Sequence, residues 1–332
     1  MNDKPLVSAG ILCYNQAQYI RQTVDCVLAQ RTRYPFEIVI GDDGSTDGSR
    51  EILEDYERRF PGKVRLLPRA PNKGVLMNYA DTVSYCRGKY IAFCSGDDYW
   101  HNPNKLELEV DFLEKNPDYG LVHGDADYFY EKENILLKNR NTKEQGLIKD
   151  GHVFNELLRG DFEISALTVC CRKVLVDQYV NFQALKKEGF TYEDYPTWLS
   201  LALHTKFKYF PDSFATYRIV PNTISRPNEI GKKLAFVQEK ARIRRYFSLQ
   251  AGLSNDFQSV IEVRMHQEIF ELGYVFREQQ LVRKAFQYLH CRGKVGWKIR
   301  LKKTLVEWPF LYRLFCSVGR YLKGKKRRLK SW

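Results

Sequence analysis

The residues best suited to chemistry in this chain are carboxylates that follow short apolar runs. Asp97 and Asp98 stand side by side in GKYIAFCSGDDYW (Gly88–Trp100), directly after the apolar stretch Tyr90–Cys94. Adjacent carboxylates repel each other and are costly to bury unless a cation or a proton compensates. A turn at the tip of a strand in an α/β fold is also where ligands gather. The pair is therefore expected to hold a divalent metal, and through it an anionic ligand. The alternative is a solvated turn in which Asp98 caps the helix that starts near Pro103.

The elements that must position this pair are regular. Leu6–Leu12 reads as a strand, with Tyr14-Asn15 at its end, and Gln16–Gln30 carries apolar residues on one helical face. Phe36–Ile40 is a second strand, ending in the polar turn Gly41–Asp47, and Ser49–Phe60 a second helix. Val64–Leu67, the turn Asn72–Gly74 and the helix Val75–Cys86 lead to the strand before Asp97. Strands alternating with helices at this pace make a parallel sheet, with the polar turns on one rim. Further on come a helix at Lys105–Lys115, a strand at Gly120–Tyr130 and a polar loop at Lys132–Lys149. A short helix at Val153–Leu158 and a β-like stretch at Ile164–Cys171 follow. The helix within Tyr192–His204 precedes a short strand in Tyr209–Val220, after a turn at Pro211-Asp212. From Glu229 onward the pattern is helical and polar.

Several chemistries are excluded. The first turn, Tyr14–Ala17, has no glycine, and no GxxxxGK[ST] occurs, so neither glycine-rich way of cradling phosphates is present. A metal on Asp97–Asp98 is the natural substitute. Asp43, Ser45, Asp47, Gly48 and Glu54 approach the calcium-loop pattern, but a strand stands where a helix is required. The six histidines form no HxxxH pair and the eight cysteines no CxxC pair, which argues against zinc and for reduced core thiols. No Gly-x-Ser-x-Gly supports a serine hydrolase.

The 332 residues have room for one large domain and an appendage, and 44% hydrophobic content is ample for a core. No signal peptide and no membrane span are expected, which suggests a cytoplasmic protein. Charge is concentrated at one end. Residues 291–332 hold 14 Lys/Arg and one acid, Glu307, which accounts for the whole net charge of +13. The body is neutral, so nucleic-acid binding is not expected of it, and RNA binding through the tail is a lesser alternative. In the tail, Trp297, Leu301, Leu305 and Trp308 are spaced for one helical face. Leu311, Leu314, Phe315, Val318 and Leu322 continue it after Pro309, with the basic cluster Lys325–Arg328 beyond. Apolar stripe, aromatics and cations together suggest a helix in an anionic membrane surface. A helix packed on the body with a solvated basic end is the alternative.

Four stretches in order, VSAGILCYN, EIVIGDDGSTDGS, NKG and GKYIAFCSGDDYW, resemble the nucleotide-binding half of the inverting family-2 glycosyltransferases. The resemblance continues more weakly through YEDYPTWLSLAL and YRIVPNTIS to about residue 226. It implies a GT-A fold, with a Rossmann-like, mostly parallel sheet flanked by helices and a helical C-terminal appendage. The expected division is a domain at 1–226 (nucleotide-sugar half to about 130), a helical region at 227–290 and a basic tail at 291–332. The donor implied is a nucleoside-diphosphate sugar, with Tyr14 and Asp43 embracing the base and Asn15 beside them. A carboxylate that accepts the imide N–H of uracil suits UDP. Asp42 supports the turn. Lys73 would pair with phosphate, unless it is a solvated loop lysine.

The family's acidic motif corresponds to Gly96–Asp98. It makes Asp98 the ligand of Mg²⁺ or Mn²⁺ and places Asp97 nearer the sugar. In Glu193-Asp194, Asp194 corresponds to the base that takes the acceptor's proton, with Glu193 and Trp198 at the acceptor. N-terminal helix capping is the plain alternative for that pair. Many relatives carry a histidine where Val220 stands, which implies either that Arg218 takes more of the diphosphate or that another group closes the site. The implied reaction is transfer of a sugar to a saccharide or lipid-linked acceptor in cell-surface polysaccharide assembly, on the inner face of the plasma membrane. The alternative is a GT-A protein that binds nucleotide sugar without turnover.

Overall fold

The protein is described by a computed structural model that covers residues 4–145, 148–220 and 229–308. It has two compact units, Met1–Pro221 and Asn222–Trp332. The first begins with β1 (Val7–Cys13), α1 (Ile20–Leu28), β2 (Phe36–Asp42), α2 (Ser49–Arg59), β3 (Val64–Leu66), α3 (Val75–Tyr85) and β4 (Tyr90–Ser95). Then come β5 (Tyr99–Trp100), α4 (Lys105–Lys115), β6 (Tyr119–Tyr130), β7 (Ile135–Leu137), α5 (Arg140–Gln145), α6 (Phe154–Arg159) and β8 (Cys170–Arg172). It closes with α7 (Lys173–Tyr179), α8 (Phe182–Lys187), α9 (Asp194–Ala202) and β9 (Lys206–Ile219).

The strands order as β3-β2-β1-β4-β8-β6-β9-β5, with β7 on β6. From β3 to β4 the sheet is parallel, and β1 and β4 are buried almost throughout because helices cover both faces. Registers set Cys13 opposite Asp42 and Leu12 opposite Ser95, so the C-terminal ends of β1, β2 and β4 lie level. The polar turns after them share one rim, as expected. The other half is mixed. β8 enters antiparallel between β4 and β6, and β9 runs parallel to β6. β5 pairs antiparallel with β9, through Tyr99 opposite Thr216 and Trp100 opposite Ala215.

Three stretches differ from expectation. β9 runs straight through Pro211-Asp212. The ladder to β6 passes from Gly124 opposite Phe210 to Asp125 opposite Ser213, so those two residues are extruded as an irregularity. Ile164–Cys171 supplies only the beginning of β8, after a 3-10 turn at Ala166–Thr168. The polar loop expected at Lys132–Lys149 contains β7 and α5. Buried carboxylates of β6 organise it: Asp125 accepts from the N–H groups of Asn141 (2.8 Å) and Thr142 (3.0 Å), and Asp127 from that of Asn139 (3.0 Å).

The second unit is helical: α10 (Ile230–Gln250), α11 (Asn255–Phe276), α12 (Gln279–Cys291) and α13 (Trp297–Glu307). Its core joins Phe270, Val282, Ala285, Leu289 and Val306. Residues 291–308 therefore belong to the packed helices, while the apolar stripe and basic cluster expected after Pro309 lie outside the described residues. No described helix is long and apolar enough to cross a membrane.

Beneath the acidic turn of the first unit lies a fully buried ion pair. Lys105 Nζ sits 2.7 Å from Glu109 Oε2 and 4.4 Å from the Trp100 ring centre. Burial raises the Glu109 carboxyl to about 7 despite its partner. Lys105→Met leaves that carboxylate uncompensated and should cost about 3–5 kcal/mol in denaturant unfolding. Lys105→Met combined with Glu109→Leu should recover most of the loss, since neither charge then remains buried.

Candidate functional site

Two loops at the rim are tied together by side chains. Asn15 adopts a left-handed backbone (φ 52°), and its Oδ1 accepts from the N–H of Thr46 at 2.8 Å. In return, Ser45, Asp47 and Ser49 accept the N–H groups of Asn15, Ala17 and Gln16 at 2.8–2.9 Å. The residues that mimic a calcium loop thus order the turn after β1, and Asp47 also accepts the N–H of Ser49 at the start of α2 (3.0 Å). Tyr14, 45% exposed, projects from that turn. Asp43 accepts from the N–H groups of Lys73 (2.8 Å) and Gly74 (3.0 Å), the latter in a positive-φ conformation suited to glycine. Asp42 accepts from Ser45 N–H and faces Arg50, which makes it a support of the turn. Lys73 Nζ is paired with Asp81 at 2.7 Å.

The turn after β4 is held from the opposite strand. Asp98 is 2% exposed, and its Oδ1 accepts the backbone N–H of Arg218 at 2.8 Å. The Arg218 side chain donates from Nε to the carbonyl of Asp97 (2.9 Å), and from its terminal nitrogens to Glu131 and Gln22. Tyr19, Tyr99 and Phe129 surround the guanidinium. Gly96 is closely enclosed: a Cβ there would lie 2.2 Å from Gln16 Oε1, which would have to move, and 3.0 Å from the carbonyl of Leu12. Burial, and then the charge of Asp97, hold the Asp98 carboxyl well above the usual range, although Arg218 opposes the shift. Burial raises Asp97 as well. The fold has thus placed two carboxylates where ionisation is penalised, and a divalent cation would relieve that penalty. Among the described residues no group of three His, Cys, Asp or Glu side chains could hold a metal. Two hard oxygen donors fit Mg²⁺ or Mn²⁺ sharing its shell with water and phosphate oxygens.

The second acid pair begins α9. Asp194 lies in the first turn, where the helix dipole favours a carboxylate. Glu193 precedes it, half-buried. Crowding by protein and then the charge of Asp194 push the Glu193 carboxyl up to about 8. α9 rests on the strand that ends in Asp97-Asp98: Trp198 packs on Phe93 of β4 (ring centres 6.3 Å), and Phe93 stacks on Tyr79 (4.7 Å). Trp198 is 1% exposed. It was expected to wall the acceptor pocket, and here it is a core contact that fixes α9 against β4. Its Nε1 is buried and makes no hydrogen bond among the described residues.

Arg218 was expected to face the diphosphate. Its donors are instead engaged with Asp97, Glu131 and Gln22, so in this structure it positions the acidic turn. Gln22 and Glu131 escaped sequence reasoning: one is a polar residue on a helix face, the other follows a strand, and neither sits in a motif. His101, beside the turn, has its two ring nitrogens 2.9 Å from Thr216 Oγ1 and the Ser213 carbonyl, and so ties the segment after β5 to β9.

A sheet whose parallel half carries Tyr14, Asp43 and a strand-end acid pair along one rim has the arrangement of a GT-A fold. The glycosyl transferase family 2 model matches residues 8–176, and the chain belongs to that family. Uncharacterised proteins of Mycobacterium are 41% identical over 120 residues, where the match spans 36% of this chain and 35% of theirs. Escherichia coli WfgD, a UDP-Glc:α-D-GlcNAc-diphosphoundecaprenol β-1,3-glucosyltransferase, is 28% identical over 67% of this chain and 81% of its own. Among solved structures, residues 1–349 of TarS from S. aureus, in complex with UDP-GlcNAc, superpose with a TM-score of 0.51 at 14% identity, covering 91% of this chain and 90% of that one. The mannosyltransferase PcManGT from Pyrobaculum calidifontis, in complex with GDP-Man and Mn²⁺, gives a TM-score of 0.57 at 14% identity, covering 92% and 84%.

The Glu193 shift has a measurable consequence. Its folded value of about 8 exceeds the ordinary 4.5, so the folded state holds the extra proton. The associated stability is present at low pH and is lost as pH rises from about 4.5 to about 8. Glu193→Gln, which mimics the protonated form, should therefore gain stability relative to the parent across that window. Thermal unfolding at pH 5 and pH 9 should show a melting difference that shifts in favour of the variant at the higher pH.

Proposed function

We propose that this protein is a metal-dependent inverting glycosyltransferase that moves a sugar from a UDP-linked donor to a saccharide or lipid-linked acceptor. The observation that carries the reading is the buried Asp97–Asp98 turn, clasped by Arg218 and level with the Tyr14 and Asp43 turns. Asp43 presents a carboxylate to the base, and Tyr14 a ring to stack on it. Asp98 would coordinate Mg²⁺ or Mn²⁺, with Asp97 toward the sugar. When bound, the metal supplies Lewis-acid stabilisation of the diphosphate. The complexes of TarS with UDP-GlcNAc and of PcManGT with Mn²⁺ support the donor class and the ion.

In the transfer, Asp194 takes the proton of the acceptor hydroxyl. The resulting oxygen forms its bond to the anomeric carbon as the bond from that carbon to the diphosphate oxygen breaks on the opposite face. The proton stays on Asp194, the electron pair leaves with UDP, and configuration is inverted. Lys73 could serve phosphate only by leaving Asp81, and Arg218 only by loosening its clasp. The lipid-linked acceptor is supported by WfgD, whose name specifies a diphosphoundecaprenol-linked one. An enzyme working on such an acceptor would act at the inner face of the plasma membrane, with residues to about 226 forming the transferase.

A panel of UDP- and GDP-sugars with Mn²⁺, followed for hydrolysis to free nucleotide, tests the reading. Slow hydrolysis of a UDP-sugar that disappears with a chelator and with Asp98→Ala is expected. Hydrolysis that persists in Asp98→Ala contradicts the metal role, and binding without turnover of any donor favours a nucleotide-binding protein. Once an acceptor is found, Asp194→Asn should lower transfer by about 10²–10⁴-fold and leave UDP affinity unchanged.

A further inference from the structure

The parallel strands have a second rim, at their N-terminal ends, opposite the acid turn. A cavity of about 1000 Å³ opens there, beside the start of β2 and the segment that leads into β4. Five cations line it, Lys4, Arg65, Arg87, Lys89 and Lys173, against two acids, Glu37 and Asp177, so three positive charges are in excess. Glu37 stands at the centre of this cluster, with its side chain 2% exposed. One of its oxygens accepts from Ser8 Oγ and the N–H of Arg87, each at 2.8 Å. The other accepts from Arg87 Nε (2.9 Å) and Arg65 Nη1 (3.0 Å). One buried carboxylate thus holds two guanidiniums and neutralises one. Both heads stay accessible, Arg87 at 49% and Arg65 at 30%. Among the described residues, Arg87 Nη1 and Arg65 Nη2 donate to no acceptor. Lys89 and Lys173 pair with Glu114 and Asp177, acids that remain in contact with water, and such pairs hold their cations weakly. Beside the cavity, Lys63 Nζ lies 3.0 Å from the centre of the Phe36 ring, and burial pulls its amine down to about 8 with no carboxylate to oppose the shift.

We propose that this cavity binds a sugar that carries an oxyanion, either phosphate or carboxylate. A guanidinium offers paired N–H donors that match two oxygens of either group. The volume is that of a small-molecule site and exceeds what a lone inorganic ion fills. Pro5, Pro35 and the exposed Val174 supply apolar surface on which the C–H face of a sugar ring can rest. A concave surface of one sign also concentrates anions before they bind. The seven residues of β2 separate this rim from the Asp43 turn by about 20 Å, so the cavity is distinct from the donor site.

Calorimetric titration of the full chain, without nucleotide and in EDTA, tests the site with glucose 1-phosphate and with glucuronate as probes. The chelator keeps the acid turn out of the measurement, so the result does not depend on the transferase reading. Saturable binding of at least one probe is expected, weakened by salt and absent with glucose. Binding of the phosphate alone, or of the carboxylate alone, supports the site and names its oxyanion. Arg87→Gln should weaken binding by roughly tenfold or more. Because Arg87 also supports Glu37, a second variant leaves the Glu37 hydrogen bonds intact: Lys89→Ser with Lys173→Ser should weaken binding by about fivefold. UDP affinity with Mn²⁺ restored should be unchanged in both variants. Failure of both probes to bind overturns the inference. So does binding of parent affinity in the second variant, or binding no tighter than that of inorganic phosphate, since the sugar would then contribute nothing.

Discussion

The first unit must keep two neighbouring carboxylates at the end of a buried strand. Each is penalised by burial, and the charge of Asp97 raises the proton affinity of Asp98 further. The fold answers with Arg218, which reaches the turn from β9 by its own backbone N–H and by its guanidinium. That cation is itself fixed by Glu131 and Gln22 and enclosed by three rings. One buried arginine therefore ties α1, the ends of β4 and β6, and β9 to a single turn. The pairing of β5 with β9 and the His101 contacts to β9 reinforce the same junction. A carboxylate pair that needs this much support is a poor way to make a turn. It is a good way to keep two oxygen donors fixed for a cation that arrives with its ligand.

The rim distributes roles by the strand that delivers each residue. β1 and β2 bring Tyr14 and Asp43, and their loops are locked by Ser45, Asp47 and Ser49 before any ligand binds. β4 brings the acid pair. α9 brings Glu193 and Asp194, and the contact of Trp198 with Phe93 sets the distance of that second pair from the first. Preorganised groups of this kind contribute through position, because little reorganisation is needed when the reaction occurs.

Much of this was legible in the sequence. β1, β2, β4 and α4 carry clear periodicity, and the turns after the strands carry their acids in plain view. What was not legible depended on contacts distant in sequence. Arg218 looks like an anion ligand until Gln22 and Glu131, 196 and 87 positions away, are seen to occupy it. Trp198 looks like a pocket wall until Phe93 is seen beside it. Pro211-Asp212 reads as a turn because local rules make it one, yet pairing along fourteen residues of β9 absorbs it as a bulge. α5 is invisible to local pattern because Asp125 and Asp127, on another strand, supply its ordering hydrogen bonds.

The central claim is that the clasped acid turn holds a divalent cation and, through it, the donor's diphosphate. Calorimetric titration of UDP into the protein tests it most directly, with Mn²⁺ present and with the metal chelated. The account predicts measurable UDP binding that requires Mn²⁺ and is lost in Asp98→Asn, although that variant folds with its Arg218 contact able to form. UDP binding of equal affinity in chelator, or binding untouched by Asp98→Asn, would contradict it.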